Sequence, residues 1–329
     1  MTPSIQLQWI LSRAELGASS EPQLLYMLLE AIPQGAAATT TKLPLNLCLV
    51  IDRSSSMRGD RLLQVKEAAQ RIVEQLGSQD YFSLVTFNDR ADIVIPAQRV
   101  NNRQDLKTRI GSVEAAGGTE MATGLALALQ EVQRAMLGRS ISRILLLTDG
   151  RTYGDESRCV QIARRAQDRQ IGLTALGVGH EWNEDLLETM AARENSRTQY
   201  ITSAQEIAQV FNDEVQRMHS IFAQSVQLSV RLRKGGLLRS LDRVQPYIAP
   251  VQIIEEQDEH WSGKLGDWPS SDAQMFLLEM VVPPLESGEQ PLAQVLLRYN
   301  LPNASERPQP AKATINIPVR PTDEVEGGA

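Results

Sequence analysis

The chain is predicted to be an α/β protein, doubly wound around a mainly parallel sheet, with a discontinuous antiparallel β-sandwich built from its two ends. Three observations lead there. Strand-like and helix-like patterns alternate between about residues 43 and 222, short extended runs follow one another after 223, and two strand-like runs precede 43. Strand–helix alternation produces parallel strands joined by crossover helices on both faces, whereas consecutive short strands joined by turns pair antiparallel. At 329 residues and 42 % apolar content, the chain is long enough for two such domains.

The elements follow in order. SIQLQWILS (4–12) and QLLYMLLEAI (23–32) are apolar runs bounded by turn formers and are assigned as strands, although the second also has the pattern of a short helix. GAAATTTKLPLN is a connector. LPLNLCLVI is almost continuously apolar, as a strand covered on both faces must be. RLLQVKEAAQRIVEQL then spaces its apolar residues by three and four, which makes an amphipathic helix. YFSLVTF and ADIVIPAQ form a strand pair, followed by a short helix at 104–113 and a long one at 119–137, opened by the glycines of AAGGT. SRILLLTD is the second buried strand. After it come a helix at 157–169, the strand IGLTALGVG, a helix at 183–193, the strand TQYIT and a helix from 204 to 221.

Beyond 223 the runs SVQLSVRLR, LLRSLDRVQPY, HWSGKLG, AQMFLLEMVVP, LAQVLLRYNL and AKATINIPV are separated by Gly, Pro, Ser and Asn, as in a sandwich. The two early strands are expected to complete it. The domains are then 1–42 and 223–320, interrupted by 43–222, with a polar tail at 321–329 expected to be disordered.

The net charge of -7 arises from mixed signs without a block of like charge, which argues against nucleic acid as partner. No leader pattern opens the chain and no run of about 18 apolar residues occurs, so no membrane span is expected. The two cysteines, Cys48 and Cys159, fall in apolar contexts, which points to a cytoplasmic protein without disulfides. His180, His219 and His260 have no metal-ligand spacing, GVG at 177–179 is a loop without a nucleotide fingerprint, and the sequon at Asn303 has no meaning without secretion.

The chemistry gathers where the buried strands end. Asp52 closes NLCLVID and Asp149 closes RILLLTD, and in an open α/β sheet ligands bind beyond the carboxyl ends of the strands. If the two strands are neighbours, two carboxylates project from one edge and repel each other unless a cation lies between them. Ser54 and Ser56 follow Asp52 at two-residue spacing, and Thr119 follows two glycines. Carboxylate and hydroxyl oxygens without sulfur or imidazole suit a hard cation: Mg²⁺ by preference, with Mn²⁺ or Ca²⁺ as alternatives. Taken singly, Asp52 and Ser54 also fit a turn and helix cap, Thr119 an N-cap, and Asp149-Gly150 a plain turn. Arg53, Arg58, Arg61 and Arg151 lie close by in sequence, as solvated surface or as groups that favour an acidic partner.

DRSSS, GGT and TDG, in this order, resemble the metal-ion-dependent adhesion site of von Willebrand factor type A domains, which have a Rossmann-like fold. The resemblance covers roughly 43–222 and includes NEDLLETMA and EIAQVFNDEV. It implies a Mg²⁺ held by Ser54, Ser56 and Thr119, with Asp52 and Asp149 binding directly or through water. It also implies an open coordination position for an Asp or Glu of a protein partner. The flanking β segments resemble a bacterial subgroup in which such a domain is inserted in a sandwich. Two departures stand out: Ser55 where many relatives have glycine, which would be strained if the turn needs a positive φ, and ENSRTQY where a glycine often precedes the strand.

The function implied is a non-enzymatic, magnesium-dependent binding module or adaptor. The alternative is a metal-dependent hydrolase of a phosphoester, for which Glu120 is the single adjacent acid that would serve as base, and which lacks a histidine or an activated nucleophile. A third reading is self-association, with an acidic residue of one copy entering the site of the next.

Overall fold

The computed structural model describes residues 3–35, 43–136, 140–150, 152, 154–179, 182–191, 196–269, 273–301 and 308–321. The connector at 36–42, Arg151, His180, the glycine-lacking stretch at 192–195, the sequon and the tail beyond 321 lie outside the described residues. The early elements are β1 (Ser4–Leu11), β2 (Leu16–Gly17), β3 (Gln23–Gln34), β4 (Leu45–Asp52), α1 (Asp60–Gln75), β5 (Tyr81–Phe87) and β6 (Ala91–Arg99). There follow α2 (Arg103–Gly111), α3 (Met121–Arg134), β7 (Ile141–Thr148), α4 (Glu156–Asp168), β8 (Gly172–Val178), α5 (Glu184–Ala191), β9 (Arg197–Ile201) and α6 (Ile207–His219). The remaining strands are β10 (Ile221–Leu232), β11 (Leu237–Gln245), β12 (Ala249–Pro250), β13 (Ile253–Glu255), β14 (His260–Pro269), β15 (Gln274–Val282), β16 (Gly288–Asn300) and β17 (Ala311–Arg320). The chain divides into two compact units, Lys42–Ser220 and Met1–Thr41 with Ile221–Ala329.

The first of these units is a Rossmann-like α/β fold. Its sheet runs β6-β5-β4-β7-β8-β9, with β6 antiparallel to β5 and every other pair parallel. Every residue of β4 and of β7 is buried. Helices on both faces of the sheet explain that burial: Cys48 and Val50 of β4 share a core with Met121, Leu125 and Ala128 of α3 and with Ile162 of α4. Leu45, Leu47, Leu49 and Ile51 are buried as well. On α1 the buried Leu62, Val65, Ala69, Ile72 and Val73 keep the three-and-four spacing read from the sequence. Chain order reverses at β4, because β5 lies on one side of it and β7 on the other. The gap between the carboxyl ends of β4 and β7 is therefore a topological switch point.

The other unit consists of two further, largely antiparallel sheets, β1-β3-β15-β11-β12 and β13-β14-β10-β16-β17-β2. β3 pairs with β15 from Gln23↔Val282 to Ala31↔Gln274, so strands from opposite ends of the chain share one sheet. Its alternating burial, with Leu25, Met27, Leu29 and Ala31 inside, decides for strand over helix in QLLYMLLEAI. These side chains join Leu228, Val295 and Ile315 of the second sheet in one core, where Trp268 stacks on Phe276 at 6.1 Å between ring centroids.

One glycine is explained only by packing. Gly124 sits inside α3, where glycine costs about 1 kcal/mol relative to alanine. A Cβ there would lie 2.9 Å from Cδ1 of the buried Phe87 on β5. The close helix–sheet approach outweighs the propensity. Gly124→Ala is expected to destabilise the fold by about 1–2 kcal/mol despite its helix preference, as read by urea unfolding. Unchanged or greater stability would show that Phe87 gives way.

Candidate metal centre

Asp52 ends β4, and Asp149 follows the last residue of β7, in the register that opposes Ile51 to Leu147. Both carboxylates are buried, and the parallel pairing sets them at the same edge. Beyond Asp52 the chain enters a 3-10 turn, Ser55–Met57, anchored by the fully buried Met57. That turn brings Ser54 Oγ within 3.0 Å of Ser56 Oγ, and Ser56 Oγ donates to Asp149 Oδ1 at 2.8 Å. A chain of oxygens thus crosses the switch point. Thr119 approaches from the third side: a Cβ built on Gly150 would stand 3.8 Å from Thr119 Oγ1 and 4.0 Å from Ser56 Oγ.

Ser54 stands at the N-cap of the 3-10 turn without a side-chain cap hydrogen bond, and the residues read as caps do not cap the α-helices. The N-cap of α1 is Gly59, well past Asp52 and Ser54, and the N-cap of α3 is Glu120, not Thr119. Asp52 Oδ1 accepts from the Ser54 amide at 2.8 Å, a local turn bond that orients the carboxylate without capping a helix. Ser55 is not among the residues with positive φ, so serine is unstrained there; its amide donates to the Gly117 carbonyl at 3.0 Å.

Several positioning residues escape a reading of the sequence. Thr148 Oγ1 donates to Asp52 Oδ2 at 2.7 Å, so both oxygens of Asp52 are held. The segment before Thr119 is fastened to the β5–β6 turn: Asn88 Nδ2 donates to the Ala116 carbonyl at 2.7 Å, and the Gly118 amide donates to Asp89 Oδ1 at 3.0 Å. Gly117, at φ +81, has no room for a Cβ, which would lie 2.3 Å from Asp89 Oδ2. The start of α3 is held from the β7–α4 loop, where Thr152 Oγ1 accepts from the Met121 amide at 3.2 Å and Asp155 Oδ2 from the Ala122 amide at 2.7 Å. These bonds satisfy amides that a helix N-terminus leaves open. NDR at the β5–β6 turn and the Thr–x–x–Asp spacing at 152–155 are the traces they leave in sequence, and both read as ordinary turn or cap signals.

The arginines divide. Arg53 is tied to Asp92 at 2.8 Å, Arg58 is exposed, and Arg61 Nη1 donates to Asp149 Oδ2 at 2.5 Å. Of the two readings left open for them, plain solvated surface does not hold for Arg53 and Arg61, which are ion-paired. Glu120, weighed as a catalytic base, lies 3.8 Å from Arg158.

The donor set fits a hard divalent cation. It comprises two carboxylates and three hydroxyls, and among the described residues no cation pairs with Asp52. Among the described residues no three or more His, Cys, Asp or Glu side chains are grouped so as to hold a metal ion, and the two carboxylates here are joined by hydroxyls instead. Burial pushes the Asp52 carboxyl up from 3.8 to about 6, against the hydrogen bonds from Thr148 and Ser54; the Asp149 charge adds to the upward shift.

The family description of the von Willebrand factor type A domain matches residues 46–213. An uncharacterised protein of Synechocystis sp., sll0103, is 31 % identical over 331 residues, covering 98 % of this chain and 78 % of that protein. The inter-alpha-trypsin inhibitor heavy chain H4 of Sus scrofa is 36 % identical over 162 residues, 45 % of this chain and 17 % of that protein. Among solved structures, a von Willebrand factor type A protein from Catenulispora acidiphila superposes with a TM-score of 0.79 at 19 % identity, over 98 % of this chain and 75 % of that one. At that identity the superposition speaks for the fold alone.

The raised Asp52 has a measurable consequence. Its folded pKa lies above the unfolded value, so its contribution to stability is fully present below about pH 3.8 and is lost as pH rises through about 6. Asp52→Asn keeps the position neutral at every pH. In excess chelator it is expected to melt about 2–4 °C or more above the wild type near pH 8, with the difference gone near pH 4, by scanning calorimetry. Equal melting near pH 8 would contradict the burial penalty.

Proposed function

Because the chain belongs to the von Willebrand factor type A family, we propose that Asp52, Ser54, Ser56, Thr119 and Asp149 hold a divalent cation, Mg²⁺ by preference, and that the chain captures an acidic side chain of a partner protein there. Type A domains commonly mediate protein–protein interaction, those with a metal-ion-dependent adhesion site bind divalent metals, and most are not enzymes. The observation that carries the proposal is the continuous run of oxygens from Ser54 to Ser56 to Asp149, at 3.0 and 2.8 Å, across the β4–β7 switch point. Thr148 and the Ser54 amide fix Asp52 before any ion arrives, which lowers the entropy cost of binding. Ser56 is exposed and Thr119 half-buried, so the site opens to solvent on the hydroxyl side.

When bound, the cation supplies a Lewis-acidic position for an anionic oxygen. The three hydroxyls add oxygens without further negative charge, so the two carboxylates match a divalent ion without exceeding it and an incoming carboxylate meets no excess negative charge. The β segments at 1–42 and 223–320 are read as one sandwich interrupted by 43–222, which presents the site as an adaptor module. No helix among the described residues is long and apolar enough to cross a membrane. Cys48 and Cys159 are free and buried, which supports a reducing, cytoplasmic setting.

Two measurements test this. Titration calorimetry is expected to show Mg²⁺ binding to the wild type and at least about a tenfold loss in the Asp52→Ala, Ser54→Ala double variant; equal affinity would refute the site. Affinity capture from the native host is expected to retain a partner with Mg²⁺ and to lose it both in chelator and with Thr119→Ala. A partner retained in excess chelator would refute capture through the ion.

A further inference from the structure

Arg61 is the cation that the described residues place against Asp149, one of the two buried carboxylates. Its Nη1 lies 2.5 Å from Asp149 Oδ2, while Asp149 Oδ1 takes the Ser56 hydroxyl at 2.8 Å. Both oxygens of Asp149 are therefore engaged, one by the proposed ligand hydroxyl and one by a guanidinium. Gly179, at φ +81, lies beside the guanidinium: a Cβ there would be in ordinary van der Waals contact, 3.4 Å from Arg61 Nη2.

We propose that Arg61 is the resident counter-cation of this site, holding Asp149 in the metal-free chain and leaving it when a divalent ion enters; the proposal rests on the metal-site reading above. The Arg61–Asp149 pair compensates the burial of Asp149, which would otherwise stand unpaired. With a divalent ion the balance reverses. Three positive charges then meet two negative ones within a few ångströms of partly desolvated protein, where like charges repel strongly.

Of the groups in that cluster, the guanidinium is the one able to move. Asp52 and Asp149 are fixed on strand ends inside the sheet, whereas the Arg61 side chain is 41 % exposed and hangs on a flexible stem from the first turn of α1. Asp149 is its one charged partner among the described residues, so its departure breaks no further ion pair. Arg61 and the metal are thus competitors for one carboxylate, and the arginine sets how tightly the site binds its ion.

The test is Mg²⁺ calorimetry on the full chain with wild type, Arg61→Gln and Arg61→Lys, together with melting of each in excess chelator. Removing the competitor is expected to tighten Mg²⁺ binding about five- to twentyfold in Arg61→Gln, with Arg61→Lys in between. In chelator Arg61→Gln is expected to melt below the wild type, because Asp149 has lost its cation, and Mg²⁺ is expected to raise its melting temperature more than that of the wild type. Mg²⁺ binding that is unchanged or weakened in Arg61→Gln, where the wild type binds, would overturn the proposal and leave the metal site standing; weakened binding would mean that Arg61 orients Asp149 instead. An unchanged melting temperature in chelator would equally overturn the counter-cation role. If the wild type gives no Mg²⁺ binding heat and no melting shift, the metal site itself fails and this proposal fails with it.

Discussion

Everything at the candidate site depends on the parallel pairing of β4 with β7. It opposes Ile51 to Leu147 and so delivers Asp52 and Asp149 to the same edge of the sheet. A strand pair one residue out of register would turn an aspartate toward a helix-covered face. The two strands hold register because they are buried on both faces, and slippage would break backbone bonds that no water can replace. The rigidity of the buried strands is the condition for placing two carboxylates close together.

That placement creates an electrostatic problem which the surrounding residues resolve in parts. Asp52 is fixed by a threonine hydroxyl and a backbone amide, donors that favour its charged form but do not overcome burial. Asp149 is met by Ser56 and Arg61. The unequal treatment is informative. One carboxylate has a positive charge against it and, among the described residues, the other has none; the proposed cation would be shared by both. The hydroxyls contribute oxygens without further negative charge, and exposed Ser56 keeps one side of the cluster accessible.

The loops that present Thr119 show how much structure one hydroxyl needs. The β5–β6 turn fastens the backbone at 116–118, and the β7–α4 loop takes the first amides of α3. Asp155 precedes α4, yet its side chain serves α3. Gly117 follows from the same crowding, since any side chain there would meet Asp89 and Asn88. Ser55, which sequence comparison marks as a possible point of strain, is unstrained because the turn it opens is helical in hand.

The sequence by itself determined the alternation of strand and helix in the α/β unit, the extended runs on either side of it, and the placing of Asp52 and Asp149 where two buried strands end. Those features are written in hydrophobic period and in the abrupt end of apolar runs, which are local properties of a chain. QLLYMLLEAI was undecided locally and became a strand because β1 and β15 pair with it. Tertiary structure alone decided the oxygen chain from Ser54 to Asp149, the clamps on Thr119, the tight approach of Gly124 to Phe87 and the seat of Arg61 on Asp149. Each joins residues far apart in sequence whose own neighbourhoods read as turn, cap or surface. Distance and desolvation, which give those groups their chemistry, exist only once the sheet has brought them together.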